Sequence, residues 1–398
     1  MRIGIVGTGV AGSLLASGLI GSKGFDIAAF ERARQGDHAE AGTGLNIGPN
    51  ALKALRLHDP GRHAALRPAS LPWRRWFIDL ADGTRLFDLG LEELAEEPGL
   101  RMRWSELYRL LRAPIAGVTQ GGMALEALEE DAAGRLVPVF RDAGGALGRA
   151  GGFDLLVGAD GRYSRTRALA AGEPAAALLG ICTWRLLVPD ATACPFDDYG
   201  QWFNGPNRLL AYRLPGNFVY IAGAFPLDAA GQVPQGARTP EAQDALFRPT
   251  SGAPCPAVAW MLAQIANRFE GIHWARSQTT PVLWRALDDR VLLLGDAAHA
   301  IVPTLGQGAT QAIEDGVLAS AILRRGGCPA DIEALRDARI RFVSAFSTDA
   351  SDTMLPGSDP VAGAREKDGD AFRARLRRLW TDVAGVDTPL LASDWAVG

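Results

Sequence analysis

Three short stretches of this chain end an apolar run on residues suited to binding rather than packing. In "RIGIVGTGVAG", Ile3 to Val6 read as a buried strand, followed by Gly7, Gly9 and Gly12 and then the helical pattern Leu14, Leu15 and Leu19. GxGxxG spacing between strand and helix suits a pyrophosphate. Gly7 permits the tight turn, Gly9 lets the backbone approach the phosphates, and Gly12 allows the helix to pack closely on the strand. The free N–H groups of the helix start then face the anion. "FDIAAFERA" supplies a second strand and carries Glu31 at its end. A carboxylate there accepts hydrogen bonds from a ribose and disfavours a 2'-phosphate.

The second stretch, "FDLLVGADGRYSRTR", ends the run Leu155, Leu156, Val157 on Gly158, Ala159, Asp160 and Gly161, with Ser164 and Arg167 following. Open α/β sheets bind ligands at such carboxyl edges, although Asp-Gly is also an ordinary turn pair. The third, "VLLLGDAAHAIVPTLGQGATQAIEDG", ends Val291 to Leu294 on Gly295 and Asp296. A turn Gly306-Gln307-Gly308 then leads into a helix expected from about Ala309, with apolar residues at 309, 312, 313, 317 and 321. Asp296 would stand over the same edge, and N–H groups near Gly308 could face an electron-rich ring. His299 reads either as a base or as a packed, hydrogen-bonded histidine.

These residues need a scaffold, and the rest of the chain describes one. At 398 residues, 47% hydrophobic and 22% charged, it can bury a sizeable core in two or three lobes. A net charge of -4 argues against a nucleic-acid or anionic-membrane surface. The arginines are scattered, and "RARLRR" at 373 to 378 reads as a solvated helix face. Cys182, Cys194, Cys255 and Cys328 have neither metal-ligand spacing nor a disulfide pattern, so no metal is expected and a cytoplasmic, reduced protein is. No uninterrupted apolar run is long enough to span a membrane. The apolar N-terminal run is explained by its glycine spacing rather than as a signal peptide. No internal repeats are present.

In this order and spacing, the three motifs resemble the class A FAD-dependent aromatic hydroxylases, flavoprotein monooxygenases like p-hydroxybenzoate hydroxylase. The resemblance spans residues 1 to about 345. It implies an α/β fold: a Rossmann-like FAD-binding domain interleaved with a mostly antiparallel β-sheet substrate domain, plus C-terminal helices. The expected boundaries are 1–72, 98–178 and 270–330 for the FAD-binding domain, 73–97 and 179–269 for the substrate domain, and 331–398 for the helical segment. Gly7, Gly9, Gly12 and Glu31 would hold the ADP half of FAD. Asp160 would belong to a motif serving FAD and NAD(P)H, and Asp296 would bind the ribityl chain. Pro303, Gly306, Gln307 and Gly308 would line the isoalloxazine ring, the helix start there stabilising charge. Arg103, opening "RWSELYRLL", would contact FAD, and the loop "GTGLNIGPN" at 42 to 50 would bring Gly44, Leu45 and Asn46 beside the flavin.

The substrate domain is legible as strands. "WRRWFIDLADGTRLFDL" at 73 to 89 reads as a hairpin turning at Asp82-Gly83. "ICTWRLLVP", "YGQWFNG", "NRLLAYRLPG" and "NFVYIAGAFPL" follow as further strands roofing the flavin. Alternation puts Arg208, Leu210 and Tyr212 on one side and Leu209, Ala211 and Arg213 on the other. Arg208, Tyr212 and Tyr199 are the expected substrate contacts. Phe372, Leu376, Leu379, Trp380 and Val383 fall at helical spacing in the C-terminal segment.

The resemblance implies that NADH or NADPH reduces the flavin, which reacts with O2 to a C4a-hydroperoxide and hydroxylates a small ring. A second dinucleotide fold is not expected, since one GxGxxG is present. "GLNIGPN" and "WRLLVP" also look similar to hydroxypyridine-carboxylate oxygenases, so the expected substrate is a hydroxylated aromatic or N-heteroaromatic acid. The expected state is monomer or homodimer, with no nucleic-acid or membrane partner. Two other classes stay open: another flavin reaction on the same scaffold (epoxidation, halogenation, dehydrogenation), or a flavin-binding redox module without turnover. A halogenase would want a catalytic lysine, and Lys23, Lys53 and Lys367 are not well placed for one.

Overall fold

The computed structural model describes residues 1–34, 43–228, 231–234 and 236–383. His38, Gly42 of the loop phrase and residues 384–398 of the C-terminal segment lie outside the described residues. The first sheet has six strands in the order Arg285–Ala286, Val291–Leu293, Leu155–Gly158, Arg2–Val6, Asp26–Glu31 and Thr119–Gly121. All but the first of these run parallel. Helices cover such a sheet on both faces, which is why its central strands read as unbroken apolar runs: Ile3, Ile5, Leu156, Val157 and Leu292 are fully buried.

Register is what turns three separate motifs into one edge. Val6 pairs with Gly158 and Gly158 with Leu293, so the turns beginning at Gly7, Ala159 and Leu294 leave the sheet side by side. The helix Val10–Leu19 packs on the helix Gln307–Arg324 so closely that a Cβ on Gly316 would stand 2.7 Å from the Ala11 carbonyl oxygen. That second helix starts two residues earlier than its apolar spacing suggests, because Gly306 adopts a left-handed conformation (φ 65°) and turns the chain directly into it.

A second, seven-stranded sheet runs His273–Thr279, Ala177–Val188, Phe218–Pro226, Asn207–Leu214, Tyr199–Asn204, Arg75–Leu80 and Arg85–Gly90. Every pairing is antiparallel except Tyr199–Asn204 beside Arg75–Leu80. The hairpin read at 73 to 89 is therefore an insertion that completes a sheet built from residues more than a hundred positions later, and Gly83 (φ 98°) makes its turn. His273–Thr279 pairs with Ala177–Val188, so the stretch 270–279 runs with this sheet. One face of the sheet carries Trp184, Leu186, Leu209, Ala211 and Ile221 into a second core, closed by the helices Pro240–Phe247 and Pro256–Asn267. The other face looks toward the first sheet's motif edge.

Two small sheets complete the body. Gly44–Ile47, Gly99–Arg103 and Leu71–Trp73 form one. Ala124–Glu130, Leu136–Arg141 and Leu147–Arg149 form the other. The helices Pro329–Asp349, Pro360–Asp368 and Asp370–Thr381 close the chain. In the last of these Leu376, Leu379 and Trp380 are buried as their spacing predicts, and Val383 is buried just beyond its end. No helix among the described residues is long and apolar enough to cross a membrane.

Candidate active site

The first motif forms a backbone cradle. Gly7 sits at φ 93°, which favours glycine, and a Cβ on Gly12 would lie 2.1 Å from the Gly7 carbonyl oxygen. At Gly9 nothing lies closer than 3.8 Å to the position a Cβ would take, so the backbone there is open. Glu31 is half-buried and firmly oriented. Its carboxylate accepts from the N–H of Thr8 (2.9 Å), the Thr8 hydroxyl (3.1 Å) and the N–H of Ala33 (3.0 Å), with Arg112 at 3.3 Å. Burial pushes its pKa up, but the Ala33 and Thr8 donors and Arg112 outweigh that and leave it below the ordinary value.

Two cavities line this edge. One of about 470 Å³ is walled by Thr8, Glu31, Ala33, Tyr108, Arg109 and Arg112. The other, about 310 Å³, runs from Gly9 and Val10 past Gly44, Asn46, Asp296, Pro303, Gly306 and Gly308 to Arg208 and Tyr212 on the second sheet. Tyr108 walls both. Arg112 is a residue the sequence reading missed. It donates to the Thr8 carbonyl (2.7 Å) and stacks its guanidinium on Tyr108 at 4.6 Å, a pairing signalled by the i, i+4 spacing of the two on helix Trp104–Arg112. Arg103 caps that helix outside both cavity walls, its guanidinium 4.4 Å from the Phe218 ring centroid.

The second motif is turned inward. The Asp160 carboxylate accepts from Ser164 Oγ (2.5 Å), the Thr166 N–H (2.9 Å) and Thr166 Oγ1 (3.1 Å), which fixes the turn whose Ala159, Gly161 and Arg162 wall the cavity. Arg167 is buried and donates to the carbonyls of Ala297, Ala298 and Pro281, tying this turn to the third motif.

In the third motif Asp296 is half-buried on the cavity wall. Burial raises its carboxyl above the ordinary value, against the pull of Arg162 and His299. Its Oδ1 lies 3.7 Å from where a Cβ on Gly308 would sit, so the carboxylate and the start of helix Gln307–Arg324 face the same space. Gln307 is fully buried, its side-chain oxygen accepts from Asn50 (3.1 Å) and Gln311 (3.0 Å), and it is not among the residues walling the cavity, where Gly306 and Gly308 stand instead. His299 proves to be the packed, hydrogen-bonded histidine: its Nε2 is 2.6 Å from Asp315 Oδ2.

Behind this wall lies a buried charge cluster. Asp315 also accepts from the Gly295 N–H (2.8 Å) and Arg336 Nε (2.9 Å). Arg336 Nη1 reaches Glu314 at 2.5 Å, and Glu314 is shared with Arg339 and Asn50. Arg336, Glu314 and Asp315 are wholly inaccessible to solvent. Burial would push Asp315 up, yet His299 and Arg336 bring it down to about 2. The cluster holds the Gly295 backbone, and so Asp296, against the helix that starts at Gln307.

Across the cavity, three cross-strand rows of the second sheet face it. Thr183, Ala224, Arg208 and Phe203 form one, and Arg185, Ala222, Leu210 and Gln201 the next. Leu187, Tyr220 and Tyr212 form the third, with Tyr199 beside Tyr212. Tyr212 stacks on Tyr220 at 4.9 Å and on Tyr199 at 5.6 Å. Arg208 is only 6% exposed, its Nε has no hydrogen-bond partner, and no carboxylate among the described residues pairs with it. Burial pushes the Tyr199 phenol up to about 12, against the pull of Arg208, and raises Tyr212 and Tyr220 as well. These phenols are donors at neutral pH. The described lysines wall neither cavity, and no metal-ligand cluster of three occurs among the described residues.

The chain is similar to known proteins. The FAD binding domain family matches residues 266–325, which contain the third motif. The 3-amino-4-hydroxybenzoate 2-monooxygenase PtmB3 of Streptomyces platensis is 31% identical over 366 residues, covering 86% of this chain and 85% of that protein. The chain belongs to the FAD-dependent aromatic hydroxylases. The 6-hydroxynicotinate 3-monooxygenase of Bordetella bronchiseptica is 26% identical over 84% of this chain and 86% of its own length. The crystal structure of Klebsiella pneumoniae HpxO complexed with FAD and uric acid shares the fold, with a TM-score of 0.79, 23% identity and 96% of each chain covered. As a flavoprotein monooxygenase the chain uses FAD. The cradle at Gly7 to Gly12, the oriented carboxylate of Glu31 on a cavity wall and the tandem cavities are of the kind and extent a dinucleotide requires.

Proposed function

We propose that this monooxygenase uses NADH or NADPH and O2 to hydroxylate a hydroxylated aromatic or N-heteroaromatic acid bound against the tyrosine-lined face of the second sheet. The observation that carries the reading is Arg208. A buried guanidinium without a counter-ion is costly, and a substrate carboxylate would pair it bidentately. The two curated relatives named above act on ring acids of this kind by name.

In this reading Gly7, Gly9 and Gly12 receive the pyrophosphate of FAD on backbone N–H groups, and Glu31, steadied by Arg112, accepts the adenosine ribose hydroxyls. Asp296 accepts hydroxyls of the ribityl chain. Gly44, Asn46, Pro303 and Gly306 wall the ring, and the N–H groups at Gln307 and Gly308 stabilise negative charge on it. Asp160 acts by holding its turn, and Arg103 by supporting Phe218 beside the flavin loop. FAD bound there supplies hydride acceptance from the nicotinamide and O2 activation.

The chain's own contribution is orientation, dryness and donors. Arg208 fixes the carboxylate, Tyr212 and Tyr199 bound the ring, and the apolar Leu210 and Ala222 line the slot beside them. The raised tyrosines donate hydrogen bonds to a substrate oxygen; they do not act as bases. The FAD-binding part is assigned to 1–72, 98–178 and 270–330, with its strand 273–279 running in the substrate sheet. Monomer or homodimer in the cytoplasm completes the reading. The test is NADH and NADPH oxidation with O2 uptake against hydroxylated benzoates and pyridine carboxylates. Stimulation by ring acids but not by their amides supports it, and stimulation by neither removes it.

A further inference from the structure

The C-terminal helix Asp370–Thr381 is absorbed neither by the cofactor cradle nor by the substrate slot, yet its end is held with unusual firmness. Helices leave their last carbonyls to water or to a glycine cap. Here the residue after the helix is Asp382, and the final carbonyls are taken by two buried cations. Arg339 Nη2 donates to the Leu379 oxygen (2.6 Å) and Nη1 to the Arg378 oxygen (3.3 Å), while Lys53 Nζ donates to the Thr381 oxygen (2.8 Å). Each cation is itself held, Arg339 by Glu314 (3.1 Å) and Lys53 by Glu96 (2.9 Å).

Trp380 sits within that fixed turn and is buried. Its ring meets Trp73 edge-on at 6.1 Å and 84°. Trp73 lies 5.2 Å from Tyr199, and Tyr199 stacks on Tyr212. Between Trp380, Tyr199 and the Thr304–Leu305 turn there remains a void of about 10 Å³, room for one water at most. The contact is close, and it touches both the substrate wall and the turn that leads to Gly306.

We infer that this helix is the positioning element of the substrate wall, with Trp380 as the positioning residue and Arg339 and Lys53 as its anchors. This rests on the proposed function above. The physical ground is that packed interiors transmit displacement. If the Trp380 ring is lost, Trp73 and Tyr199 relax toward the gap, and a misplaced wall misorients the ring held by Arg208.

The test uses Trp380→Leu and Trp380→Phe as FAD-loaded full-length proteins, with 6-hydroxynicotinate and 3-amino-4-hydroxybenzoate as probes. Titration calorimetry should show the probe Kd rising about tenfold in Trp380→Leu and by no more than about threefold in Trp380→Phe. FAD affinity should stay within about twofold in both. The chain has five tyrosines, so selective ¹³C-tyrosine NMR gives a second readout that needs no ligand. Resonances of Tyr199 and Tyr212, assigned by Tyr→Phe substitution, should move in Trp380→Leu while those of Tyr163 stay in place. Unmoved Tyr199 and Tyr212 signals, or parallel losses of FAD and probe affinity, would overturn the inference. If the unmutated protein binds neither probe, the substrate reading fails, and the tyrosine signals still decide the role of Trp380.

Discussion

Arg208 and Tyr212 project from the same face of one strand, four residues apart, and the guanidinium is buried beside three stacked phenols with no carboxylate among the described residues to neutralise it. Among the described residues that charge is uncompensated, at the wall where the proposed substrate would bind. Replacing it should have opposite effects on stability and on binding. Arg208→Met keeps the shape and removes the charge. The ligand-free protein should gain about 1 kcal/mol, a Tm rise of a few degrees. Affinity for a ring carboxylate should fall on the order of a hundredfold. Scanning calorimetry and a binding titration check the two signs separately, and a destabilised variant with unchanged affinity would contradict the role.

Asp296 faces the cavity with a carboxyl that burial raises, so its removal should cost little in folding. Asp296→Ala should retain the apoprotein Tm within a few degrees while FAD affinity falls roughly 10- to 100-fold, the loss of charge-assisted hydrogen bonds to the ribityl chain. Flavin retention through gel filtration, with the apoprotein melt alongside, measures this.

Gly12→Ala makes a sharper steric prediction. The added Cβ would sit 2.1 Å from the Gly7 carbonyl oxygen, which is backbone in a tight turn and cannot swing aside. The helix Val10–Leu19 must lift from the first strand. Loss of FAD binding together with a stability loss of about 2 kcal/mol or more is expected, whereas Gly21→Ala, which meets nothing within 4 Å but has φ 76°, should cost about 1 kcal/mol and leave FAD binding intact.

Asp315 gives a pH dependence. Its carboxyl is brought from the ordinary 3.8 to about 2 by His299 and Arg336. The unfolded chain therefore binds its proton more readily than the folded one. Stability from this group is fully present above about pH 4 and is lost as pH falls through about 2, an amount on the order of 2 kcal/mol. Asp315→Asn should be several kcal/mol less stable at pH 7, since it leaves Arg336 partly unpaired. The gap between variant and parent in urea unfolding should narrow between pH 4 and 2. A gap that stays constant over that range would contradict the assignment.

The edge where the three motifs meet was legible because each ends an apolar run on a glycine, and the pairing of Val6 with Gly158 and of Gly158 with Leu293 brings the three turns side by side. Alternation likewise placed Arg208, Leu210 and Tyr212 correctly, since a two-residue period survives any error in strand ends. The buried charge cluster was not read. Arg336 and Arg339 fall on the stripe of Ile332, Ile340 and Val343, which is a signal that they point inward, but their partners lie more than twenty residues away and no local pattern names them. The sheet from Ala124 to Arg149 was passed over although "DAAG" and "DAGG" mark its two turns. Arg112 was missed because its partners, Thr8 and Glu31, belong to the other end of the chain.

The central claim is that this chain inserts an oxygen atom from O2 into a ring acid held by Arg208. The most direct test is turnover under ¹⁸O2 with NADH or NADPH and the panel of hydroxylated benzoates and pyridine carboxylates, with mass spectrometry of the products. A ring product heavier by one ¹⁸O atom, absent with Arg208→Met, is the predicted result. Stoichiometric nicotinamide oxidation with all the label in peroxide or water, whatever ring acid is supplied, would contradict it.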